Sequence, residues 1–404
     1  MAFVIDGLMG QQGFLDSPSL IPSVNMFTFI ALATLVLTTI INSAGVRLVA
    51  TLNNIGVATE ILGMVVFALI LLFFANHQSP AVLFDDAGAQ DANNGSFLAT
   101  FALGFFMSIF ILYGFDTAGT FGEETVDPGR HAPRGVLSSV WISGIVGVVF
   151  LLAIILSLQG LAGGFPIATT ITTNLTATIA GGLTVGKLYL VVILVSVFVC
   201  TLAIQGAATR MMFSMSRDRH LPLGAIWGHV NKTFRTPANA AVGVGVLAAI
   251  PILLVGPIGG ITLSIAATGL IYLSYFLCNL GVAFARARGW PRTRAWFNLG
   301  RWGMPINILA LLWGGIMIVN IGLWASPQLF GDFGGDGRAY WNPLINGLFT
   351  VGGQKLDQLP PWPLFETLVG ILIITGAIYY AVAIRGSARD VEGTADTAPD
   401  AVIG

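Results

Sequence analysis

Apolar residues run along the chain in nine long stretches, approximately 24–43, 57–76, 97–118, 136–158, 187–213, 237–256, 259–285, 303–325 and 364–384. A helix rises about 1.5 Å per residue, so about 20 apolar residues cross the roughly 30 Å of hydrocarbon in a bilayer. Each stretch meets that length or nearly so. The pattern predicts an all-α polytopic membrane protein with about nine transmembrane helices over residues 1–385. Two longer connections interrupt it. Residues 159–186 carry no Asp, Glu or Arg before Lys187 and are rich in Gly and Thr; Pro166 and the polar density predict an outer loop. Residues 326–362 hold Asp332, Asp336 and Asp357 among many Gly and Pro, and are also predicted to lie outside. The tail, 386–404, is poor in bulky apolar residues and is expected to be disordered on the cytoplasmic side.

Composition sharpens this picture. Apolar types make up 55% of the 404 residues and charged types 9%, too few to build a soluble exterior. Glycine, at 50 residues, suits close helix packing in a membrane. A net charge of −1 offers no field for a nucleic-acid partner. Cys200 and Cys278 lie in apolar runs and are read as packing residues. With the first span running from outside to inside, all but Lys187, Arg338 and Lys355 of the 18 Lys and Arg residues fall on the cytoplasmic side, as the positive-inside rule requires. The opening MAFVIDGLMG is no signal peptide, since no basic residue precedes its apolar part. An outside N-terminus without an export signal, and an odd number of spans, lead to the expectation that helices precede residue 1.

The chemistry concentrates at the end of the third stretch, SIFILYGFDTAGTFGEET, residues 108–125. Asp116 there lies near or inside hydrocarbon, which costs at least about 2.5 kcal/mol unless it faces protein or water. Gly114 and Gly119 flank it. An interrupted membrane helix frees backbone N–H and C=O groups to grip a ligand, and a small zwitterion needs both kinds. The bland alternative is that Asp116 merely caps a helix. Phe110, Tyr113 and Phe115 are by default core or lipid-facing. Next comes GEETVDPGRHAPRG, residues 122–135, expected to be a short cytoplasmic loop stiffened by Pro128 and Pro133. In it Glu123 and Glu124 would face Arg130 and Arg134 and close an inner vestibule. The fifth stretch ends in QGAATRMMFSMSRDRHLP, residues 205–222. Arg210 sits in its apolar run, within snorkelling reach of the inner interface, and Arg217, Asp218 and Arg219 form its cytoplasmic end. Glu60 and Glu366 are read as structural.

The strings GFDTAGTFGEETVDPGRHAPRG (114–135), TRMMFSMSRDRHLP (209–222), NKTFRTPANAA (231–241) and NSAGVRLVATLNNIGVATEILG (42–63) resemble the amino acid–polyamine–organocation superfamily of permeases, in particular its amino acid/choline/GABA-type members. The resemblance covers about residues 24–385. It implies a fold of two inverted five-helix repeats, of which the second spans about 97–285 and 303–325 and 364–384 are additional helices. It implies secondary transport of an amino acid or amine across the cell membrane, no cofactor, and a proton or sodium gradient or exchange as energy source. It maps the broken sixth helix of the family onto Phe110–Thr117, so that Phe110, Tyr113, Gly114, Phe115, Asp116 and Thr117 would shape the substrate site. Glu123, Glu124, Arg130, Arg134, Arg210, Arg217 and Asp218 would serve the cytoplasmic loop or gate. The family's first three helices find no counterpart here. The chain alone is therefore expected not to accumulate amino acids at a rate usual for the family.

A transport-incompetent fragment, or a regulatory or assembly partner in the membrane, is the competing reading. A channel would need a filter or charge rings. An intramembrane enzyme would need a nucleophile with its base, and an ATP-driven pump a phosphate-binding loop; the sequence carries neither pattern. The topology is directly testable. Cysteines placed at residues 85 and 336 should react with a membrane-impermeant label from outside intact cells, and one at residue 292 should not. Equal labelling of all three in unbroken cells would overturn the nine-span assignment.

Overall fold

The computed structural model describes residues 25–74, 76–85, 112–122, 125–158, 183–231, 236–255, 259–290, 296–321 and 362–384, together with residues 4–5, 8, 101, 108, 178–180, 338–339, 350–351 and 354–355. Eight helices carry the architecture: α1 (Met26–Ala44), α2 (Val46–Phe74), α3 (Pro128–Ser157), α4 (Val185–Arg217), α5 (Ala238–Val255), α6 (Gly259–Ala287), α7 (Gly303–Val319) and α8 (Leu364–Tyr379). Seven described helices are long and apolar enough to cross a membrane, and α5 is an apolar helix just short of that length. The chain is a polytopic helical membrane protein. The predicted span 97–118 lies mostly outside the described residues.

Local chemistry sets the helix ends. The Asn25 side chain accepts the N–H of Thr28 at 3.0 Å and caps α1; the Thr184 hydroxyl does the same for Lys187 at 3.2 Å and caps α4. Gly45, with φ of 144°, breaks the chain between α1 and α2, in a conformation that a side chain would resist. The segment 128–135, expected as a loop, forms instead the first turns of α3. Pro128 stands at its first positions, where the missing N–H costs nothing and the fixed φ suits a helix. Glu123 and Glu124, expected to face Arg130 and Arg134 across that loop, lie outside the described residues.

Hydroxyls inside the spans fold back onto their own helices. Thr34, Thr39 and Ser43 each donate to the carbonyl four residues earlier, which satisfies them where no water can. Between helices, small residues and a few amides make the contacts. Gly56 and Gly63 on α2 face Val199 and Val192 on the antiparallel α4, where a methyl group would collide with either valine. The Asn42 amide donates to Leu202 O at 3.2 Å, Gln205 to the Thr39 hydroxyl at 2.6 Å, and the Thr236 hydroxyl to Ser43 O at 2.8 Å. These bonds tie α1, α4 and the entry to α5 together. Asn307 on α7 donates to the carbonyl and side chain of Asn279 on α6, at 3.1 and 3.0 Å. A buried cluster of Phe67, Ala68, Leu71, Ala153, Ile154 and Tyr189 joins α2, α3 and α4.

The contacts also sort the helix ends. The end of α2 meets the end of α3, where the His77 and Gln78 amides donate to Leu156 O. At the opposite side Ser43 meets Thr236, Arg286 packs against Gly303, and Tyr379 donates to Arg219 O. Each group gathers ends that the charge pattern assigns to one side. Outward surfaces are apolar, as with Phe74 at 85% and Ile373 at 63% exposed. Both cysteines are exposed and free rather than packed inside as expected.

Crowding at Gly56 makes a quantitative prediction. Gly56→Leu should lower stability by about 1–3 kcal/mol through overpacking against Val199. Gly370→Leu, with open space around it, should leave the melting temperature in detergent unchanged. Equal melting of the two variants would show that α2 and α4 do not pack as described.

Candidate functional site

The described part of the 108–125 segment is not a continuous helix. Residue 112 is helical, residues 113–116 are not, and a single turn follows over Thr117–Thr120. Gly114 takes φ of 85° at the interruption and has no atom within 4 Å of where a side chain would begin. It sits there because its backbone goes where other residues strain, not because space is tight. The turn restarts when the Thr117 N–H donates to Gly114 O at 3.1 Å and the Gly119 N–H to Asp116 O at 2.7 Å.

One side chain from another helix holds the interruption. Tyr275 of α6 accepts the Gly114 N–H at 3.2 Å and donates its hydroxyl proton to Asp116 Oδ1 at 2.5 Å. Its ring stacks on Phe115 with centroids 5.0 Å apart, and Tyr272 meets it edge-on at 5.8 Å. Tyr275 thus touches three successive residues of the break. The carboxylate gains a short charge-assisted bond, and an otherwise unpaired N–H finds an acceptor. The Phe115 carbonyl accepts no hydrogen bond among the described residues. Beside the break a cavity of about 120 Å³ is bounded by Tyr113, Gly114 and Phe115 and by Ser139, Val140 and Ser143 of α3.

A larger cavity, about 510 Å³, opens just beyond. It is lined by Gly119, Thr120 and Gly122 after the break, by Asn42 of α1, and by Thr209 and Arg210 of α4. Arg210 donates to Gly206 O at 3.1 Å and lies 4.1 Å over the Phe121 ring, so its charge is held at the cavity wall by an acceptor and a π-face.

The expected residues do not form one site. Tyr113, Gly114, Phe115, Asp116 and Thr117 are together at the break, and Arg210 is at the neighbouring cavity. Arg217 and Asp218 pair with each other at 3.3 Å, both about half exposed, in a different place. Arg134 lies 4.4 Å over the Trp296 ring, and Arg130 is exposed in the first turns of α3. Phe110, Glu123 and Glu124 fall outside the described residues. Tyr275 was not foreseen. Its signal is a polar stripe, Thr268, Tyr272, Tyr275 and Asn279, recurring every three or four residues in the apolar α6, which marks one helix face as interior. Among the described residues no group of three or more His, Cys, Asp or Glu could hold a metal ion.

Residues 3–333 match the family model described as amino acid permease. The chain belongs to the amino acid permease family. Within the amino acid–polyamine–organocation superfamily, it is 29% identical over 340 residues to the amino-acid permease BAT1 homolog of Oryza sativa subsp. japonica, covering 80% of this chain and 62% of that protein. It is 28% identical over 291 residues to amino-acid permease BAT1 of Arabidopsis thaliana, covering 68% and 55%. A putative polyamine transporter of Candida albicans is 26% identical over 227 residues, covering 54% and 40%. The chain therefore spans less than two thirds of the length of these permease relatives.

The open space around Gly114 separates backbone strain from crowding. Gly114→Val should destabilise the protein by about 1–3 kcal/mol through φ alone, with Gly119→Val, equally uncrowded, as control. Thermal melting in detergent reads both. Equal melting would mean that the backbone at Gly114 is not held at positive φ.

Proposed function

We propose that this chain forms membrane-embedded machinery of a secondary transporter for amino acids or related amines, working by alternating access about the break at 113–116. The observation that carries this reading is the interrupted helix itself, held open by Tyr275 between Gly114 and Asp116. A zwitterion or ammonium must shed water to enter a site at membrane depth, and it does so only if fixed donors and acceptors replace that water. The Phe115 carbonyl, which accepts no hydrogen bond among the described residues, belongs to a residue lining a cavity of about 120 Å³ and is an acceptor of the kind an ammonium group needs. No bond to substrate is made or broken, so the chemistry is binding and release, as befits a permease rather than an enzyme.

In this reading residues 97–285 form the second five-helix repeat, and 303–325 and 364–384 are helices added to it. The cavity at Arg210 is the inner vestibule, with Arg210 in its wall over the Phe121 ring. Energy comes from a proton or sodium gradient, or from exchange against a second solute. The permeases and polyamine transporters among its relatives support a substrate that carries an amine.

Binding measured on the purified chain tests this. Radiolabelled amino acids and polyamines are presented by scintillation proximity, with and without sodium and across pH. Saturable binding of at least one is expected. Tyr275→Phe, which loses the hydroxyl and keeps the ring, should weaken it by about tenfold, a hydrogen bond's worth. Saturable binding of none of the panel, or unchanged affinity in Tyr275→Phe, would overturn the proposal.

A further inference from the structure

A second cavity lies apart from the break. It measures about 650 Å³ and is lined by Ser216, Arg217 and Arg219 at the end of α4, by Leu223 and Gly228, and by Tyr379 of α8. Two residues with left-handed backbone, Arg219 at φ 62° and Leu223 at φ 60°, fold the chain tightly after α4. The Tyr379 hydroxyl donates to Arg219 O at 3.3 Å and pins α8 to that fold. The cavity is thus a place built between two spans, at the end where the charge pattern puts the cytoplasm.

Its surroundings are of two kinds. Arg217 and Arg219, both in its lining, are exposed. Asp218 offsets one charge by pairing with Arg217 Nε, while the Arg219 side chain has no partner among the described residues. Close by, Leu223 is 63% and Ile226 48% exposed, and on α8 Ile378 is 59% exposed. Such apolar surface beside arginines is out of place facing water alone, but is suited to the boundary between headgroups and acyl chains. Basic pockets between spans on the cytoplasmic side select anionic headgroups, because arginine gives phosphate a forked, planar set of donors.

We propose that this cavity binds the phosphate headgroup of an anionic glycerophospholipid of the inner leaflet. The two arginines meet the phosphate, and the acyl chains run along Leu223, Ile226 and the exposed face of α8. The bound lipid would brace α8 against the end of α4, adding to the Tyr379 hydrogen bond.

Native mass spectrometry of the purified chain, released from micelles holding equal phosphatidylglycerol and phosphatidylcholine, reads this directly. The wild type should retain phosphatidylglycerol over phosphatidylcholine by about tenfold, and R217Q/R219Q should bring the two near parity. R219Q alone leaves the Arg217–Asp218 pair intact and should still lower the preference about threefold, which keeps the test open if the double variant does not fold. Glycerol 3-phosphate added in large excess should not displace the lipid. Equal retention of the two lipids by the wild type, or an unchanged preference in R219Q, would overturn the proposal. Displacement by glycerol 3-phosphate would overturn it too, pointing to a site for free phosphate.

Discussion

A peptide group without a hydrogen-bond partner costs several kcal/mol in hydrocarbon, and the candidate site is built around a described place where an apolar segment gives up that pairing. At 113–116 the backbone leaves the helix, and a single phenol repairs part of the loss. Tyr275 accepts the Gly114 N–H and gives its own proton to Asp116, so one hydroxyl satisfies a backbone donor and a carboxylate together. The ring adds a stacking surface for Phe115. Asp116 is thereby explained without burying a bare charge. Among the described residues the Phe115 carbonyl is left without a donor, and Phe115 lines a cavity, a position from which a free acceptor can meet a polar guest instead of penalising the fold.

The surrounding helices answer to the same constraint in a different way. Where α1, α4 and α5 meet, side chains donate across the interfaces: Asn42 to Leu202 O, Gln205 Nε2 to the Thr39 hydroxyl, Thr236 to Ser43 O. Where α2 meets α4, Gly56 and Gly63 let the backbones approach two valines. Lipid tails are as apolar as the helices, so burial of apolar area drives association weakly here. Close packing and matched amides carry it instead. This is why exposed leucines and isoleucines cover the outer surfaces while the informative residues inside are glycine, threonine and asparagine.

That distinction also explains what the sequence could disclose. Spans are legible because length and apolarity are properties of one segment at a time, and eight of the nine predicted ones have a described helix. The positive Arg and Lys pattern is likewise local, and the helix ends that touch are those it places on one side. Gly114 and Asp116 stood out because both are anomalous within their own stretch. Tyr275 was harder: a tyrosine in an apolar run is unremarkable, and only its spacing with Thr268, Tyr272 and Asn279 marks the inward face of α6. Its partner, 159 residues away, follows from three-dimensional packing alone. The segment 128–135 was misread for the opposite reason. Its two prolines and its charges look like a loop, yet Pro128 at the helix start is favourable, Pro133 is accommodated inside the helix near its beginning, and at the membrane surface charged side chains in the first turns reach water.

The pattern of restraint has a mechanical consequence. The α1–α4–α5 group is held by several hydrogen bonds from separate side chains, and the α2–α3–α4 group by a buried cluster. Among the described residues, the break is held to α6 by one tyrosine. Bonds spread over several residues resist small displacements cooperatively, whereas a contact through one hydroxyl can be exchanged for another acceptor at little net cost, since a hydrogen bond traded for a hydrogen bond is nearly neutral. In the proposed reading, an amine enters beside Phe115 and is held by its carbonyl, while the Tyr275 hydroxyl keeps both its bonds and holds the break in the shape that receives the ligand. The turn at Thr117–Thr120, which borders the larger cavity, follows directly on that tether. Site and inner cavity wall would then be coupled through the same oxygen atom, with the hydrogen-bonded helices around it staying still.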